Sequence, residues 1–157
     1  MNLDAESPAR PLRAAGAAGL ARLRRGSLAV LVLTVVEYGI GMYVNLYVTV
    51  PQADHGASVG SAITNGPATL STHAVIGLLL GLGALGVLVQ ALLARHPGAI
   101  TASAVGVFAL ASADATGASF TSSARPADSM GMSVLTGVAL LCYVANLYLL
   151  RPSGQRG

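Results

Sequence analysis

Ser27-Leu-Ala-Val-Leu-Val-Leu-Thr-Val-Val-Glu-Tyr-Gly-Ile-Gly-Met-Tyr-Val-Asn-Leu-Tyr-Val-Thr-Val50 holds one carboxylate, Glu37, and no cation, and Pro51 stops it. At about 1.5 Å of rise per residue, such a helix outruns a hydrocarbon core of about 30 Å. Three further apolar runs follow, over about 69–94, 99–116 and 131–150. The second is closed by Arg95-His96-Pro97-Gly98 and the fourth by Arg151-Pro152. The third is the shortest, diluted by Ser103, Ser112 and Asp114. The expected fold is all-α: an integral membrane four-helix transmembrane bundle over residues 27–151.

Composition agrees. Hydrophobic residues make up 54% of the 157 and charged residues 10%, against roughly 25% charge in a soluble domain. Mean hydropathy is +0.67. All nine basic residues are arginine. Five of them (Arg10, Arg13, Arg22, Arg24, Arg25) precede the first run, where they read as a topology signal and a contact for anionic headgroups, not as a nucleic-acid surface. With the N-terminus inside, Arg95, Arg151 and Arg156 join them, and Arg125 alone falls outside. The expectation is therefore N-in/C-in, with both termini cytoplasmic in the cell membrane of a bacterium. Residues 1–26 are expected to be disordered or to lie as a helix on the inner surface, and 152–157 to form a cytoplasmic tail. A cleaved signal peptide fits less well, because the apolar stretch continues through Val50 without a small-x-small cleavage site. The single cysteine, Cys142, excludes an internal disulfide.

Glu37 is the most informative residue. Counting rise from Ser27 places it near the bilayer midplane, where a carboxylate costs at least about 2.5–3.5 kcal/mol. It must face protein, carry a proton or find a partner. The same counting puts Gly86, Phe108, Cys142 and Tyr143 at its level. Glu37, Gly41 and Asn45 recur every four residues and share a helix face. His73 enters the second span at about the depth of Asn45, and a direct Glu37–His73 contact is not expected. Glu37, Asn45 and His73 form the candidate intramembrane polar site. His73 is read either as a neutral imidazole bonded to Asn45 or a loop carbonyl, or as an axial haem ligand. Haem would need a second ligand from Met42, Met130 or Met132, since His55 and His96 lie in loops. Gly77-x-x-x-Gly81 is a small-xxx-small pattern, and Gly41, Gly77 and Gly81 are read as helix-packing positions. His55, His73, Asp54 and Asp114 converging at the outer face would make a metal site, although solvated loop charges are the default. Ser119–Ser123, with Phe120 as apolar anchor, is expected to fold back onto the bundle as a loop.

The run Glu37-Tyr-Gly-Ile-Gly-Met-Tyr-Val-Asn-Leu-Tyr-Val48, the entry Thr72-His73-Ala-Val-Ile-Gly77 and Gly117-Ala-Ser-Phe120 together resemble a group of uncharacterised four-span integral membrane proteins of high-GC bacteria. The likeness covers about Leu28 to Leu150. It implies the architecture, points at Glu37, Asn45 and His73, and implies no reaction. Ala115-Thr116 stand where the group would have a bulky apolar residue and Asn.

No Walker loop, His-Glu-x-x-His or Gly-x-Ser-x-Gly is present. The leading expectation is a small non-enzymatic membrane subunit or accessory protein that packs against other membrane subunits or itself. The alternatives are a haem-binding electron-transfer protein using His73, or a small proton-linked transporter centred on Glu37, which at four spans would need a dimer.

Overall fold

The computed structural model describes residues 9–48, 60, 64–123 and 125–151. Four helices fill them: α1 (Ala9–Tyr47), α2 (Ala68–Leu93), α3 (Pro97–Ser123) and α4 (Pro126–Leu149). Each contains a stretch long and apolar enough to cross a membrane. The loop holding Asp54 and His55 and the tail 152–157 lie outside the described residues.

Each helix packs on its chain neighbours and α4 closes onto α1, while among the described residues the backbones of diagonal helices stay apart. This is the antiparallel up-down-up-down arrangement that short connections favour. Register is read from the glycines. Gly41 faces His73, Gly77 faces Glu37, Gly83 faces Val30 and Gly26 faces Val87, so α1 and α2 run antiparallel with Tyr47 level with Pro67. Across α3 and α4, Gly117 faces Met132 and Gly106 faces Tyr143.

Two boundaries differ from the sequence reading. α3 does not end near Thr116 but continues to Ser123, so the described part of Ser119–Ser123 is helix and not a folded-back loop. Two threonine hydroxyls at this end bond within the helix. Thr116 Oγ1 donates to the Ser112 carbonyl at 2.6 Å and Thr121 Oγ1 to that of Ala118 at 2.8 Å, which removes their need for water. At the other end α1 is unbroken from Ala9, so residues 9–26 are helix continuous with the span. Its 39 residues reach about 58 Å, well beyond one bilayer core.

The burial pattern is that of a protein whose solvent is apolar. Leu78, Leu82, Phe108 and Leu141 stand exposed on the outside, Phe108 at 73%, while Ser27, Thr34, Glu37, Ser103 and Asn146 are buried. In water so large an apolar exterior would drive association. In lipid it is the low-energy face, and the polar groups belong inside. Small residues make the packing close, with Ala84, Ala91, Ala99 and Ala139 fully buried. Leu23, Val87, Tyr143 and Leu150 complete a tightly filled half of the bundle, at the end where α1 enters. Arg22, Arg24, Arg25, Arg95 and Arg151 are exposed around that end. The Arg151 guanidinium lies 4.9 Å from the centre of the exposed Tyr148 ring, a cation–π contact.

The α2–α3 turn is made by Arg95 at φ 50°. The Arg95 N–H donates to the Leu92 carbonyl and the His96 N–H to that of Ala91, the pattern of a Schellman cap. His96 then caps α3: its Nδ1 accepts from the Ala99 N–H at 3.2 Å, with Pro97 at the first helical position. His96→Ala is expected to cost about 1 kcal/mol, measured as a lowered unfolding midpoint in detergent.

Candidate functional site

The half of the bundle opposite the arginine end holds a partly open cavity of about 310 Å³ to which all four helices contribute. α1 supplies Glu37, Gly41 and Asn45; α2 supplies His73 and Gly77; α3 supplies Asp114 and Gly117; α4 supplies Ser129, Ser133 and Thr136. Leu70, Leu80, Leu110 and Met132 make the walls apolar.

Glu37 is 6% exposed. Its Oε1 lies 2.6 Å from His73 Nδ1, at the short end for charge-assisted contacts. The two atoms meet the distance of an ion pair but not the alignment of a hydrogen bond. Both Glu37 oxygens and His73 Nδ1 are shut off from solvent and have no aligned partner among the described residues. This contact overturns the expectation that the two residues lie too far apart. The offset in depth is real: Glu37 is level with Gly77, and His73 sits one turn higher, level with Gly41, about 6 Å away. The two side chains close that gap where Gly41 leaves room for the imidazole. A Cβ on Gly41 would stand 3.0 Å from His73 Cε1, and one on Gly77 would stand 3.5 Å from Glu37 Oε1 and from Asp114 Oδ1.

Gly41, expected as a helix-packing position, therefore makes room for the imidazole, while Gly77 faces the cluster at ordinary contact distance. The space above Gly81 meets nothing within 4 Å. Gly41→Ala is expected to leave the bundle folded and push the imidazole off Glu37. The ring protons of His73 in the NMR spectrum report this, as a shift matching that of Glu37→Gln.

Asp114 is the member of the cluster that sequence reading placed elsewhere, at the outer face with the loop groups. The longer α3 carries it inward, against Gly77, where it interacts electrostatically with both Glu37 and His73. It is also the open member: Asp114 lines the cavity and is exposed, whereas Glu37 is buried. The pattern Gly77 opposite Glu37 was available in the sequence only to a reader who already knew the register. Asn45 does not bond His73. It accepts from Ser129 Oγ at 3.1 Å and ties α1 to α4 at the cavity rim. Nor do Gly86, Phe108, Cys142 and Tyr143 share the level of Glu37: Tyr143 faces Gly106, roughly 12 Å nearer the arginine end, and Phe108 points outward.

Of the residues in the metal reading, only His73 and Asp114 are described. His55 and Asp54 lie outside the described residues, and among the described residues no three His, Cys, Asp or Glu side chains are arranged to hold a metal ion. As a haem ligand His73 would have only Nε2 to offer, since Nδ1 is held by Glu37, and the ring edge carrying Nε2 lies against Gly41.

Fold and site together fit a multi-pass helical membrane protein with an acid–imidazole cavity inside its bundle. Comparison with family models, with curated proteins and with solved structures returns no match.

Proposed function

We propose that this is a small proton-linked membrane protein, which binds a solute in the cavity and exchanges a proton at Glu37, His73 and Asp114. The observation that carries the reading is the Glu37–His73 contact of 2.6 Å beside a second carboxylate. Two acids and one base among apolar walls are costly to keep in a membrane interior. Arrangements of this kind occur where protons are moved. The placement follows the arginines: the crowded end is cytoplasmic, both termini lie inside, and the cavity lies toward the outer face of a bacterial cell membrane.

Liposomes carrying an internal pH dye and a potassium shunt test it. An imposed pH gradient should collapse faster with the wild-type protein than with Glu37→Gln, whose rate should equal that of empty vesicles. Equal rates for both proteins would overturn the reading.

A second reading, a subunit held within a larger assembly, draws on the glycines where an added Cβ would meet nothing within 4 Å among the described residues, such as Gly39, Gly81, Gly86 and Gly137. Such positions let helices of another subunit approach closely. Native mass spectrometry is expected to give a mass above that of one 15.7 kDa chain, and a lone monomer would remove this reading.

A further inference from the structure

We infer that the cavity takes a monovalent organic cation with an apolar body, bound in exchange for a proton. This deepens the proton-linked reading and rests on it.

The charge balance carries the inference. Glu37 and Asp114 bring two carboxylates, and among the described residues the one basic side chain lining the cavity is His73. From α4 the facing groups are the hydroxyls of Ser129, Ser133 and Thr136, which bring no charge. Pairing of a protonated His73 with Glu37 uses one negative charge and leaves that of Asp114 unmatched. Asp114 is the exposed carboxylate, so a ligand reaches it without moving the imidazole. An unmatched carboxylate in apolar surroundings takes either a proton or a cation. Those two occupants exclude each other, which makes the exchange one for one.

Size and walls narrow the class. A volume of about 310 Å³ is at the small end for sites that hold organic molecules, and far more than a bare metal ion fills. Leu70, Leu80, Leu110 and Met132 reward burial of an apolar body, and Phe120, an aromatic of the kind that attracts cations, also lines the cavity. Asn45 and Ser129 form a polar rim. A neutral hydrocarbon would leave Asp114 unpaired, and an anion would be repelled.

The probe is benzyltrimethylammonium, which has no proton to give, compared with neopentylbenzene, its neutral carbon isostere. Equilibrium binding to the full-length protein in detergent is measured together with proton release into a weakly buffered dye solution. The expected result is saturable binding of the cation at one site per chain, with about one proton released and weaker binding as pH falls. The neutral isostere should bind at least tenfold more weakly. Asp114→Asn should lose at least tenfold in cation affinity. Glu37→Gln should also lose, because His73 then faces the ligand with its charge unmatched. Equal affinity for the two probes, or cation binding unchanged in both variants, would overturn the inference. Absence of cation binding, in a protein whose Glu37-dependent gradient collapse persists, would overturn the cation class and leave the proton-linked reading standing. Loss of that collapse as well would remove both. Asp114→Asn replaces an exposed side chain with one of similar shape, so it stays informative if Glu37→Gln does not fold.

Discussion

His73→Leu should destabilise the bundle by about 3 kcal/mol, and combining it with Glu37→Leu should restore most of the loss. Removing one partner of a buried pair leaves the other charge desolvated and alone, at a cost of about 3–5 kcal/mol. The lower figure applies because 23% of the His73 side chain is exposed. Replacing both partners by apolar groups removes the charges together, and such exchanges are often neutral or stabilising. The walls around the pair, Val44, Leu70 and Leu80, are already apolar and can receive leucines. Unfolding midpoints of the single and double variants in one detergent settle the matter. A pair kept for stability predicts a double variant worse than either single one. A pair kept for function predicts a stable double variant that no longer collapses a pH gradient.

The second large effect lies in the filled half of the bundle. Tyr143→Ala is expected to cost about 3–5 kcal/mol, the range for truncating a buried aromatic ring. Tyr143 is fully buried, and its ring packs onto Gly106, where an added Cβ would approach to 3.2 Å. Truncation therefore opens a void where α3 and α4 are in closest contact. Tyr143→Phe should behave differently. The phenolic oxygen has no hydrogen-bond partner among the described residues, so its removal costs less than 1 kcal/mol or stabilises. Thermal unfolding of the two variants separates ring from hydroxyl. A Phe variant as damaged as the Ala variant would show that the hydroxyl, and not the ring, holds this layer.

Nearby, Asn146 Nδ2 donates to Ser103 Oγ at 2.9 Å, a buried link between the same two helices. Ser103 stood out in the sequence only as a residue diluting the third span, since a Ser or Asn in an apolar run has no assignable role until its partner is known. The four spans were legible for a plain reason: long apolar runs bounded by Pro, Gly and Arg have few alternatives. Residues 117–123 were not, because hydropathy counts hydroxyls as polar, whereas Thr121 bonds its own helix backbone and Ser119 donates to Asp128 of α4. Glu37 was legible as an anomaly, a carboxylate alone in its span. Its partnership with His73 and Asp114 was not, because depth along each helix fixes neither the reach of side chains nor the space that Gly41 leaves for the imidazole. A one-turn offset decides against contact only when Cβ atoms fill the gap.

The most direct measurement is the infrared difference spectrum of the protein between alkaline and acidic pH, with the glutamate carboxyl groups isotopically labelled. The chain has two glutamates, Glu6 and Glu37, so Glu37→Gln identifies the band. A Glu37 that exchanges a proton in the cavity predicts a labelled carboxylic-acid stretch that changes with pH, disappears in Glu37→Gln, and shifts in Asp114→Asn. A labelled band that ignores pH, or survives unchanged in Glu37→Gln, would contradict a proton-exchanging site at Glu37.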